Sequence, residues 1–137
     1  MKLPYLTKEE FAHIVWNTLP SILVVIDDPN DGIISEISEP AARMFGYTRE
    51  ELRGLPVETL VPNALRTKHV EYRTKYEIGP VHRAMGNHNM DVRGQRKDGT
   101  TFRAAIQLSP IIVKERRCVL VLVTRQPIDY MESKETQ

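Results

Sequence analysis

The chain has 137 residues, a formal net charge of +1 and a single cysteine; it is long enough for one domain with a self-sufficient core, and one thiol excludes both an internal disulfide framework and a cysteine-built zinc cluster. Its 19 basic and 18 acidic residues are interspersed, so no general electrostatic pull toward nucleic acid or an anionic membrane exists. Apolar runs such as Ile22 to Ile26 are far too short to span a bilayer, the first residues lack the apolar stretch of a secretory signal, and the expectation is a soluble, cytoplasmic protein.

Thr7 and Glu10 form a capping-box pattern that opens a helix, with Phe11, Ile14, Val15 and Leu19 at helical spacing and Pro20 as its stop. Residues 21–27 read as a buried strand, Pro29-Asn30-Asp31-Gly32 as a turn, and Ile33 to Ile37 as the return strand of a hairpin. Ser38 can cap a short helix through Phe45 that ends at Gly46, and Thr48 with Glu51 opens another that stops at Gly54. Val57 to Val61 suits a single turn. A longer helix is predicted over about Ala64 to Glu77, with Leu65, His69, Tyr72 and Tyr76 as its apolar face. Arg66, Lys68, Glu71, Arg73 and Lys75 are expected to point elsewhere.

The last third reads as strands. Residues 90–97 and 101–109 flank an Asp98-Gly99 hairpin turn. Phe102, Ala104, Ile106 and Leu108 alternate with polar or small residues, so one face is buried. Val113 to Arg117 is predicted as a polar connection, and Cys118 to Thr124 as a central strand. Five antiparallel strands with helices on one face make an α+β domain, whose helices and concave sheet face can enclose a pocket. The predicted division is a helical extension over 1–20, a domain over 21–126 and a polar tail over 127–137.

That order carries a set of short motifs: Ala41-Ala42-Arg43-Met44-Phe45-Gly46-Tyr47, Glu50-Glu51-Leu52-Arg53-Gly54, Leu60-Val61-Pro62, Arg66-Thr67-Lys68-His69, Arg83-Ala84-Met85-Gly86, Gly94-Gln95-Arg96-Lys97-Asp98-Gly99-Thr100 and Ile106-Gln107-Leu108-Ser109-Pro110. Any one is weak, but the ordered set resembles the PAS family of sensory domains over about residues 10–126. The resemblance implies the PAS fold: a five-stranded antiparallel sheet, short helices and one longer helix on one face, here preceded by an amphipathic helix. It implies a sensory or interaction module; the residues themselves offer no Gly-rich phosphate loop, nucleophile elbow or metal-binding carboxylate cluster, so no enzyme is expected. Its expected partners are a second copy of the chain and a protein effector such as a kinase, cyclase or transcription regulator, with no nucleic acid and no membrane.

The family does not specify its ligand. Flavin photoreceptor members carry an Asn-Cys-Arg motif beside the flavin, whereas Cys118 lies on the last strand, which reads as a packed core thiol. The segment Leu60-Val61-Pro62, Leu65-Arg66, His69-Val70-Glu71-Tyr72 is similar to direct-oxygen-sensor haem PAS domains, in which the matching histidine is the proximal iron ligand. The resemblance thus implies b-type haem on His69, sensing a diatomic gas or a redox change. Leu65, Tyr72, Tyr76, Met85, Met90 and Ile106 are the expected lining, and His88, Met85 or Met90 the second iron ligand. A neutral imidazole on an apolar stripe is a competent haem ligand. The same position also suits a histidine hydrogen-bonded to a neighbouring helix or a backbone carbonyl. A cofactor-free dimerisation or protein-interaction module, or a binder of a small metabolite, is the alternative.

Overall fold

The computed structural model describes residues 6–86 and 91–127. In chain order it contains α1 (Lys8–Thr18), β1 (Ser21–Val25), β2 (Ile34–Ile37), α2 (Glu39–Phe45), α3 (Arg49–Leu52), 3-10 turns at Val57–Leu60 and Asn63–Leu65, α4 (Arg66–Ile78), β3 (Arg83–Met85), β4 (Arg93–Gln95), β5 (Thr101–Val113) and β6 (Arg116–Arg125). The strands form one antiparallel sheet of order β2-β1-β6-β5-β3, with β4 also on β5.

The sheet keeps the five lateral positions expected, but fills one of them twice. β3 pairs with Ile106–Leu108 and β4 with Thr101–Arg103, so the two short strands lie one after the other along the same edge of β5. The segment Arg83–Met85 carries no alternation over so short a length, which hides it from sequence reading. β5 also runs beyond Ser109, its ladder with β6 continuing to Val113↔Arg116. The connection expected over 113–117 shrinks to Lys114 and Glu115, at φ 50° and 65°, the left-handed pair that a two-residue hairpin needs. Neither residue is a customary turn former, so the hairpin is imposed by the apolar ladders on each side.

Period-two alternation puts Ile22 and Val24 of β1, Val119, Val121 and Val123 of β6, and Phe102 and Ala104 of β5 on one face. Against it pack Ala41 and Phe45 of α2, Leu52 of α3 and Leu60. The corner between β1 and α2 is closed by two hydroxyls. Ser38 Oγ accepts from the N–H groups of Ser21 and Ala41 and donates to Leu19 O, while Ser21 Oγ donates to the same carbonyl. Ser38 thus acts as the cap that the sequence suggests. Thr7 likewise accepts from the Glu10 N–H at the start of α1, but no α1 residue is buried, and Phe11 and Ile14 face solvent.

The Phe45 and Phe102 rings meet at 5.2 Å between centroids, tilted by 57°, and the backbone of β4 lies directly against them. A Cβ on Gly94 would stand 2.7 Å from an atom of each ring. Both rings are buried and have nowhere to retreat. Gly94→Ala is therefore expected to destabilise the fold by about 1–3 kcal/mol through overpacking, read as a lower urea midpoint at unchanged m-value.

Candidate functional site

Glu58 sits in the 3-10 turn Val57–Leu60 and is only 7% exposed. A buried carboxylate must find a counter-charge or lose its own. The next helix supplies one. Arg73 Nε donates to Glu58 Oε2 at 3.1 Å and Nη2 to Oε1 at 3.3 Å, a fork matched to both oxygens. His69 Nδ1 lies 2.6 Å from Glu58 Oε2. Arg73 Nη1 reaches further, to Asp31 Oδ1 and Glu77 Oε1, each at 2.9 Å. Three carboxylates therefore surround one guanidinium.

Local structure explains how they meet. His69, Arg73 and Glu77 recur every four residues, which places them on one stripe of α4. Asp31 comes from the turn between β1 and β2, where Gly32 has φ 84°. A Cβ on Gly32 would lie 2.5 Å from the Arg73 guanidinium carbon, so glycine lets the side chain lie flat on that turn. Burial opposes ionisation of Glu58, but the hydrogen bonds from His69 and Arg73 outweigh it and hold its carboxyl below the usual range. The same pairs hold the Arg73 guanidinium above its ordinary value despite burial.

This arrangement corrects the predicted face of α4. Leu65 and Tyr72, read as pocket lining, are 49% and 57% exposed, whereas the Arg73 and Glu77 side chains are only 14% and 10% exposed. The inward stripe is His69, Arg73, Tyr76 and Glu77, because the charge of Glu58 selects the helix face that can answer it. Arg73, expected to point away, is the centre of the contact. Tyr76 packs against the core rim and donates its hydroxyl to Val81 O. A signal for the cluster exists in the sequence: the His-x-x-x-Arg-x-x-x-Glu series of α4 and a lone Glu58 within an otherwise uncharged turn.

Met85 and Ile106 are cross-strand partners of β3 and β5. They line a groove of about 340 Å³ with Leu19, Pro20 and Leu122. A second groove of about 300 Å³ lies at the β3 edge beside His82, whose Nδ1 is 3.2 Å from Ser109 Oγ. Neither groove includes His69, Leu65, Tyr72 or Tyr76. The structure thus brings Met85 and Ile106 together, and Ile106 and Tyr76 pack against the same core cluster. His88 and Met90 lie outside the described residues. Cys118 is buried on β6, where burial pushes its thiol up, as a packed thiol requires.

These features test the fit of haem. The donor fits: with Nδ1 held by a carboxylate, Nε2 is the nitrogen left for a metal, and such a partner orients and strengthens an imidazole ligand. The walls do not: two of the expected lining side chains face solvent, and the space beside His69 holds an ionic cluster.

The model of the family described as PAS domain matches residues 20–125. Sensor protein FixL of Bradyrhizobium diazoefficiens is 34% identical over 96 residues, which cover 70% of this chain and 18% of that protein. Oxygen sensor protein DosP of Escherichia coli is 26% identical over 128 residues, 93% of this chain and 15% of that protein. The chain spans less than a fifth of the length of either. A solved PAS domain from a two-component sensor histidine kinase superposes with TM-score 0.63 at 19% identity, covering 87% of this chain and 96% of that one. A light-oxygen-voltage domain from work on a flavin analogue superposes with TM-score 0.68 at 17% identity, covering 91% and 90%; identities this low speak for the fold alone. The chain belongs to the PAS domain family, and it is a sensory signalling module. Among the described residues no helix is long and apolar enough to cross a membrane.

Removing the guanidinium strands Glu58 in the interior. Arg73→Met is expected to lower stability at neutral pH by about 3–5 kcal/mol, measured by chemical denaturation. Glu58 also sets an acid limb. Its folded carboxyl ionises below its ordinary value of 4.5, so its contribution is complete above that pH and is lost as the pH falls through the folded value. Glu58→Gln is expected to flatten stability below about pH 4.5 relative to the parent.

Proposed function

We propose that this PAS domain acts by displacement of α4, which a protein effector reads in response to a diatomic gas or a redox change, with b-type haem on His69 as the cofactor that the similarity to haem sensors favours. The observation that carries the reading is the attachment of α4. Apart from the rim contact of Tyr76, it meets the body of the protein through polar contacts: the Glu58 cluster, in which the Arg73 and Glu77 side chains are largely shielded from solvent, two bonds from Arg66 to Val61 O and Thr59 O, and a bond from the Arg117 guanidinium to Glu77 O. An element held by a few polar contacts has a low local opening free energy. It also carries His69, whose Nε2 is the nitrogen offered to a ligand.

Haem would supply an iron that exchanges a diatomic ligand or an electron. The chain's own part is to orient the imidazole through Glu58 and to restrain α4 through Arg73. The similarity to an oxygen sensor over most of the chain supports a gas signal. In this reading residues 21–126 are the sensing unit, the helix within 1–20 is a homodimer contact through Phe11 and Ile14, and residues 127–137 are a tail. A cytoplasmic kinase, cyclase or transcription regulator, in the same polypeptide or another, receives the signal.

A second reading, a cofactor-free interaction module, is favoured by the outward turn of Leu65 and Tyr72, which leaves His69 without apolar walls. One measurement separates the two. Protein reconstituted with haem is expected to show a Soret band that His69→Ala abolishes while circular dichroism keeps its folded signature. No band, or one indifferent to His69→Ala, assigns the chain to the cofactor-free class.

A further inference from the structure

The carboxyl groups of Asp31 and Glu77 share one donor. Both bind Arg73 Nη1 at 2.9 Å, so they stand side by side at the last turns of α4. Around them lie Glu58 from the 3-10 turn, already engaged by Arg73 and His69, and Arg117 from β6. Arg117 does not neutralise the pair: its Nη2 donates to the Glu77 backbone carbonyl, and its own carboxylate neighbour is Asp27. The cluster thus sets three carboxylates, Asp31, Glu58 and Glu77, against the single guanidinium of Arg73. Full ionisation leaves it with an excess of negative charge in a half-closed site, and adjacent carboxylates then resist ionising together.

We propose that the Asp31–Glu77 pair is a pH-sensitive latch that fastens α4 to the turn between β1 and β2. With one proton held between them, Glu77 donates a hydrogen bond to Asp31 and the end of the helix is closed on the turn. With the proton released, two carboxylates repel across one guanidinium and the end of α4 opens. The latch deepens the reading of α4 as the moving element and does not require haem.

The electrostatics agree with the geometry. Burial, and then the Asp31 carboxyl beside it, push Glu77 up to about 7, against the opposing pull of Arg73. A carboxyl whose folded value is raised holds its proton longer in the folded chain than in the unfolded one. The contribution of the closed latch is therefore complete below the ordinary 4.5 and falls away as the pH rises toward about 7. The opposite sign at Glu58 confines its own change to acid pH.

Hydrogen exchange of the whole chain, followed by mass spectrometry from about pH 5.5 to 8.5 and corrected for intrinsic rates, tests the latch. Amides of α4 are expected to exchange on the order of tenfold faster above neutrality, relative to those of β5 and β6. Glu77→Gln is expected to remove the transition, and Asp31→Asn to move its midpoint to lower pH by removing the neighbouring charge. A flat α4 profile in the parent, or an unchanged transition in Glu77→Gln, overturns the proposal. Should Glu77→Gln not fold, the carboxyl carbon shift of Glu77 in the parent decides: a midpoint near 7 supports the latch, and one below about 5 overturns it. A transition in a chain with no Soret band removes haem and leaves the latch; a Soret band without a transition does the reverse.

Discussion

A carboxylate inside the fold dictates how the long helix docks. Glu58 is buried in a short turn whose other residues are uncharged, and a bare charge there would be untenable. Arg73 satisfies it through both oxygens, and that contact turns α4 so that His69, Tyr76 and Glu77 face inward with it. The same guanidinium then draws the turn at Asp31 and Gly32 against the helix. Helix face, histidine orientation and turn position all follow from one ion pair. The compensation is local, so the side chains that α4 carries inward are mainly charged, Arg73 and Glu77 among them, rather than apolar.

This mode of attachment separates two parts of the molecule. The sheet and α2, α3 and Leu60 form an apolar core, whose free energy is spread over many contacts. Helix α4 is held largely by directional hydrogen bonds and ion pairs. A signalling element needs such an unequal distribution: the core stays rigid while one element has two arrangements of similar free energy. His69 and Glu77 both lie on the stripe that meets Arg73 and Glu58.

Most of the fold is legible in the residues. Thr7, Ser38 and Thr48 mark helix starts through side-chain oxygens that the structure shows accepting backbone N–H groups. The alternation of Phe102, Ala104, Ile106 and Leu108, and the apolar run from Cys118, mark the central strands. The segments that escape are those whose conformation is set from outside. Lys114 and Glu115 adopt positive φ because two ladders require it, and Arg83–Met85 becomes a strand because β5 offers an edge. The site is less legible. Hydrophobic periodicity placed Leu65 and Tyr72 inward, but periodicity weighs apolar area and cannot see a buried charge on a different element.

The sequence by itself determined the family, the α+β class and the presence of His69 on the long helix, since each rests on local patterns or an ordered set of motifs. Only the tertiary structure decided what His69 touches, that Arg73 faces inward, and that Asp31, Glu58 and Glu77 converge on it. Those residues lie up to 42 positions apart in the pairing of Arg73 with Asp31. Coulombic and hydrogen-bond energies depend on distance in space, which the order of residues along a chain does not state.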